Sequence, residues 1–220
     1  MKKTKSVLLG LIAGIALFLL SVSAQAITIG FEPVWQDVMS GDTAVVDLVI
    51  FGLGDGVSPS LGSFDIDVTF ESSILALDTT DVDMDSVIDS VVLDPTPNLI
   101  GGGTQLDIFG LGGNFVSAGL ISPGVLNISD VSLDFPLYLK DYQADTFTLA
   151  TLTFDTIGLG LSSLGLANVI LGDEYWNPLA AVLNTASVNV NSNPVPEPTT
   201  MLLFGIGLAG LAALRRKKEA

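Results

Sequence analysis

Between residues 64 and 70 apolar and polar positions alternate strictly. Phe64, Ile66, Val68 and Phe70 fall on one face, and Asp65, Asp67 and Thr69 on the other. A period of two is what a half-buried antiparallel strand requires, because successive side chains point to opposite sides of a pleated ribbon. Thr43–Phe51 is rich in β-branched residues and places Ala44, Val46, Leu48 and Ile50 together on one side. Similar patterns predict strands over 27–31, 74–78, 86–93, 104–110, 146–156, 164–171 and 182–190. Gly, Pro, Asn and Asp fill the gaps, as in GLGDGVSPSLG, DPTPN and GLGGN, and mark turns. Roughly nine short strands separated by turn signals predict an all-β sandwich. Residues 112–142 fit this rhythm least and are expected to hold a long loop or a short helix.

The two ends of the chain break the pattern. Met1 to Lys5 is basic, Val7 to Val22 is almost continuously apolar, and Ala24-Gln25-Ala26 places small residues at both positions read by a signal peptidase. Residues 1–26 are therefore expected to be a secretory signal peptide, cut after Ala26. At the other end, Met201 to Leu214 is an unbroken run of 14 apolar or Gly residues. As a helix it would reach ~21 Å, short of a ~30 Å hydrocarbon core. Arg215, Arg216, Lys217 and Lys218 follow it immediately and are expected to stay on the cytoplasmic side as a basic stop. Pro194, Pro196 and Pro198 make the approach stiff and extended. The expected organisation is a domain over 27–190, a Pro-rich linker over 191–198, and a hydrophobic helix with basic tail over 199–220.

Charge sharpens this division. Of eight Lys and Arg, only Lys140 lies in 27–197, against 23 acidic residues, a net charge of −22. Such a surface repels a phosphate backbone, which excludes nucleic acid as a partner class. It favours cations and basic partners and keeps an exported protein dispersed. The chain has no Cys and no His. The fold must therefore rest on its core without disulfides, and Ser-His-Asp and Cys-His nucleophile systems are excluded. Carboxylate-only chemistry such as glycoside hydrolysis stays open, and oxygen ligands suit calcium.

Pro196-Glu197-Pro198, a short apolar helix containing Gly205, Gly207 and Gly210, and the terminal basic cluster together resemble a PEP-CTERM sorting signal. The resemblance implies an exosortase-type enzyme in the inner membrane that recognises Pro-Glu-Pro, removes the helix and releases the protein to the cell surface or exopolysaccharide matrix. The membrane contact would then be transient. Within the domain, LGSFDIDVTFESSILAL (61–77) is similar to the early strands of cohesin domains. TFTLATLTFDTIGLGLSSLGLANVILGD (146–173) and PLAAVLNTASVNV (178–190) are similar to their later strands. In the Phe70-Glu71-Ser72 turn, Glu and Ser stand where that family has Asp and Pro. The resemblance implies a cohesin-like jelly-roll β-sandwich, and the capture of a dockerin-like protein through one sheet face. Carbohydrate-binding modules share this broad architecture, so an extracellular polysaccharide is the other ligand class it implies.

Several clusters carry candidate chemistry. Asp81, Asp83 and Asp85 alternate like the opening of a calcium loop, but Ser86 and Val92 stand where an EF-hand needs Gly and Glu. A solvated acidic loop is the first reading and a calcium site the alternative; no other cofactor is expected. Asp65 and Asp67 are read as an exposed polar face, with a cation site or a glycosidase pair as alternatives. Tyr175 and Trp176 beside Asp173 and Glu174, with Trp35, offer flat rings for sugar stacking, against core or loop packing as the commoner use. The expected function is non-catalytic binding by an exported, surface- or matrix-sorted protein, with no catalytic residues. A polysaccharide-active enzyme using paired carboxylates and a purely structural matrix protein are the alternatives.

Overall fold

The computed structural model describes residues 26–193, together with Phe204 and residues 206–208, which are helical. Ala24, the Pro-Glu-Pro motif and the basic cluster 215–218 lie outside the described residues. Ala26, the residue before the expected cut, is exposed. No helix among the described residues is long and apolar enough to cross a membrane.

Among the described residues twelve strands form two sheets packed face to face. In chain order they are β1 (Thr28–Glu32), β2 (Trp35–Met39), β3 (Thr43–Phe51), β4 (Leu61–Thr69), β5 (Leu75–Ala76) and β6 (Val91–Leu93). Then come β7 (Phe115–Ser122), β8 (Val125–Val131), helix α1 (Pro136–Tyr142), β9 (Thr146–Thr156), β10 (Gly160–Asp173), β11 (Val182–Leu183) and β12 (Ala186–Asn191). One sheet runs β11-β1-β3-β9-β5, with β6 also paired to β9; the other runs β2-β12-β10-β4-β8-β7. Most pairs are antiparallel, while β1 with β11 and β12 with β2 are parallel.

The alternation read in the sequence places the core. Phe64, Ile66 and Val68 of β4 point between the sheets, opposite Ala44, Val46, Leu48 and Ile50 of β3. The register shift at Leu48/Val49 skips Leu149 of β9, so that the consecutive residues Leu149 and Ala150 both join the core. Phe70 and Phe154 meet edge to face with ring centroids 5.1 Å apart. Among the described residues every buried residue of the core lies between Ile27 and Val190, so the segment 26–193 carries a folding unit with its own core.

The sequence expectations need correction at five places. Residues 112–142 hold the β7–β8 hairpin as well as the short helix α1. The hairpin turns at Gly124, whose φ of +77° and 2.5 Å approach of a Cβ to the Phe70 carbonyl leave room only for glycine. Strand β2 was missed because an edge strand buries so little that Trp35, Asp37 and Met39 stay outside. The predicted strand 104–110 is a run of turns, although Leu106 and Ile108 are fully buried at a spacing of two. Their backbone N–H groups donate to the Asp94 and Asp134 carboxylates, at 2.6 and 2.7 Å, where a strand would use a ladder. The stretch 86–93 forms strand only over 91–93, and 182–190 divides into β11 and β12, which join different sheets.

Candidate functional site

The outer face of the β2-β12-β10-β4-β8-β7 sheet has a polar centre. Asp65 and Asp67 of β4 point away from the core, and Asn127 of β8 lies opposite Asp67 in register. The Asn127 amide donates to both carboxylates, at 2.7 Å to Asp65 and 2.9 Å to Asp67. On the other flank β10 bulges between Ala167 and Ile170. The bulge holds Asn168 at φ 47°, a left-handed conformation that Asn tolerates better than most residues. From there its amide donates to Asp67 at 2.5 Å. Asp67 is consequently only 5% exposed while Asp65 is open to solvent, so an exposed polar face is correct for Asp65 alone. Ile170 registers with Asp65 and is exposed, as are Phe115 and Ile121 of the neighbouring edge strand β7. One amide thus bridges the two carboxylates on an open sheet face.

The candidate aromatic residues do not form one platform. Trp35 registers with Ser187, and Ser187 with Ser163 near the start of β10. Tyr175 and Trp176 follow the far end of β10 at Asp173, ten residues on, or roughly 30 Å along a strand rising ~3.3 Å per residue. Trp35 donates its indole N–H to Asp37 at 2.9 Å. With the Asn189 and Asn191 amides, that bond holds the Asp37 carboxyl below the usual range. Tyr175 and Trp176 are both more than half exposed. Their carboxylate neighbours serve the loop. Burial works to raise Asp173, but bonds from the Asn177 side chain and from the Asn177 and Tyr175 backbone outweigh it and lower its pKa. Glu174 is buried and accepts from the Ser58 hydroxyl and from the Ser60 N–H, the latter at 2.9 Å.

Asp81, Asp83 and Asp85 do come together, each with a carboxylate oxygen within 4.8 Å of the others, and all three are exposed. Both Asp81 oxygens accept backbone N–H groups, from Asp85 at 3.1 Å and Ser86 at 3.2 Å, and Asp85 accepts from Val87 at 2.8 Å. The carboxylates thus shape their own loop.

A second acidic group was not anticipated from the sequence. Asp94, just after β6, and Asp130 in β8 are 3% and 1% exposed. Burial pushes Asp94 up to about 6, opposed by the Thr104 hydroxyl and by the backbone N–H groups of Leu106 and Gln105. Burial, and then the charge of Asp94, push Asp130 up to about 7. Asp134, before α1, is also raised by burial and by Asp107. One signal was legible: Asp130 occupies an inward position of the VLNISDV alternation, where an apolar residue is the rule.

Comparisons with known proteins address the two parts of the chain separately. Residues 194–217 match the PEP-CTERM protein-sorting motif, so the chain carries this sorting signal at its C-terminal end. No curated protein sequence matches the chain. Among solved structures, the domain is similar to the sixth cohesin of scaffoldin B from Acetivibrio cellulolyticus, solved in complex with a mutant Cel5 dockerin. The identity is 15%, the coverage 76% of this chain and 99% of that one, and the TM-score 0.53. The cohesin module of a family 33 glycoside hydrolase from Clostridium perfringens gives 16% identity, 77% and 98% coverage, and a TM-score of 0.53. A non-cellulosomal cohesin from Archaeoglobus fulgidus gives 11%, 80% and 96%, and 0.50. The domain therefore has a cohesin-like jelly-roll fold.

Proposed function

We propose that the protein is a non-catalytic binding module that captures a protein partner, of the dockerin type, on the outer face of the β2-β12-β10-β4-β8-β7 sheet. The observation that carries this reading is the Asp65-Asn127-Asp67-Asn168 quartet at the centre of that face. Carboxylates held by amides keep free lone pairs, and these accept donors from a partner. The exposed Phe115, Ile121 and Ile170 supply apolar contact around them. A strongly acidic domain selects basic partner surfaces and speeds their encounter. Export through the N-terminal segment, exosortase-type processing at Pro-Glu-Pro and release to the cell surface or matrix deliver the domain to that partner.

A polysaccharide ligand is the second reading, favoured by the adjacent exposed rings of Tyr175 and Trp176. Both are tested by immobilising residues 26–193 and passing the host secretome and exopolysaccharide over them. Retention of one protein species, weakened about tenfold or more by Asp65→Ala or Asn127→Ala, is the expected result, in line with loss of a central polar contact. Retention of glycan alone, lost in Trp176→Ala and kept in Asp65→Ala, transfers the function to carbohydrate binding. No retention of either leaves a structural matrix role and ends the binding reading.

A further inference from the structure

Four carboxylates flank the turns around Leu106: the Leu106 N–H donates to Asp94, the Ile108 N–H to Asp134, and the Leu106 carbonyl accepts from Ser132, two residues after Asp130. Asp94 follows β6, Asp107 lies in the turns that replace the predicted strand 104–110, Asp130 belongs to β8, and Asp134 precedes α1. They lie within one another's fields: Asp94 and Asp107 act on Asp130, and Asp107 acts on both Asp94 and Asp134. Among the described residues the one basic side chain is Lys140, and its ammonium is held by Asp141 at 2.9 Å. No basic residue of the domain answers the cluster.

The two most buried members are also incomplete. Asp94 Oδ2 accepts the Leu106 N–H at 2.6 Å, but Asp94 Oδ1 is buried without a hydrogen-bond partner. Asp130 Oδ1 is likewise buried and unpartnered. Buried polar oxygens are nearly always satisfied, and a buried charge needs a counter-charge. Three things relieve such a pair: a basic side chain, a shared proton or a metal ion. The first is missing among the described residues.

We propose that Asp94 Oδ1 and Asp130 Oδ1 are ligands of a hard divalent cation, calcium in preference to magnesium, at a site distinct from the exposed Asp81-Asp83-Asp85 loop. Calcium takes 6–8 oxygens from carboxylates, carbonyls, neutral side chains and water, and it tolerates irregular shells, whereas magnesium demands a near-octahedral one. Neutral oxygens are at hand, since the Thr104 hydroxyl sits against Asp94 and the Asn114 amide against Asp130. Asp107 adds outer negative charge while its own oxygens accept the Leu111 and Gly112 N–H groups, at 2.9 and 2.7 Å. The ion would tie three separate stretches together: the exit of β6, the turns 104–114 and strand β8. Those turns lack a strand ladder, so the ion serves as a staple for them.

The test is the thermal midpoint of residues 26–193, first stripped with chelator, then titrated with calcium chloride or magnesium chloride at neutral pH. We expect a saturable rise with calcium, half-complete at about 0.1–1 mM, as in extracellular calcium modules, and a weaker response to magnesium. Asp94→Asn and Asp130→Asn should each raise the calcium needed by at least about tenfold, while the double variant Asp81→Asn/Asp83→Asn keeps the full response. Calorimetric titration of that double variant, whose substitutions lie in the exposed loop, should show one calcium per chain. An unresponsive wild-type midpoint, a response unchanged in both buried variants, or no calcium bound by the double variant overturns the proposal. A wild-type protein that gains stability on acidification and ignores calcium would assign the pair a shared proton instead.

Discussion

Replacing Gln143 by alanine removes three hydrogen bonds at once. Gln143 follows α1 and is 2% exposed. Its Oε1 accepts the Leu61 N–H at 2.6 Å, and its Nε2 donates to the carbonyls of Leu61 and Gln105, both at 2.9 Å. One side chain thus fastens the end of α1 to the start of β4 and to the turns that carry Asp107. Each bond contributes ~1 kcal/mol net, and a buried partner left stranded costs ~1–3 kcal/mol. The three polar groups left behind are enough to hold a water, which limits the loss. We expect Gln143→Ala to destabilise residues 26–193 by about 3–5 kcal/mol, a large part of the ~5–15 kcal/mol of a typical domain. Urea denaturation at neutral pH reads this as a lowered midpoint with an unchanged slope. Gln143→Glu is the control. It keeps an acceptor for Leu61 N–H but turns an acceptor toward two carbonyls, so it should be no more stable than alanine. A loss under about 1 kcal/mol for alanine, or a glutamate variant as stable as wild type, would refute the account of this anchor.

Two further outcomes are expected. In chelator, the stability of wild type relative to Asp130→Asn should fall as pH rises from about 4 to about 7. The sign follows from the raised Asp130: an unfolded carboxyl ionises at its ordinary 3.8, but the folded one at about 7, so between these values folding takes up a proton. The full effect is at most ~4 kcal/mol, and pH-dependent urea midpoints measure it. A difference that is flat, or that rises with pH, would contradict the buried placement of this carboxyl. For sorting, the intact mass of the mature surface protein should lack residues 201–220. A surface form that retains them would remove the exosortase-type step.

The outer-face quartet and the buried carboxylates differ in how far the sequence announced them. FDIDVTF displayed Asp65 and Asp67 as the polar side of a strand, because strand alternation is a local property of the backbone. Nothing local paired them with Asn127, 60 residues or more away, or with Asn168, about 100 away. Leu106 and Ile108 looked like strand positions because burial at a spacing of two is shared by strands and by turns whose N–H groups are met by carboxylates. The edge strands β2 and β7 were illegible for the opposite reason: with so little of them buried, their hydrophobic pattern is weak.

By itself, the sequence determined the all-β class, the central strands β3, β4 and β9, the acidic charge and the C-terminal sorting signal. Each of these is set by composition or by periodicity over a few residues. Tertiary structure alone decided which carboxylates are bridged, which are exposed and which are buried. Asp65, Asp81 and Asp130 are the same residue type in similar polar contexts. One lies open beside an amide on a sheet face, one closes its own loop, and one is sealed inside with an oxygen unpaired. Solvation and partner geometry depend on strands distant in the chain, and those govern what a carboxylate does.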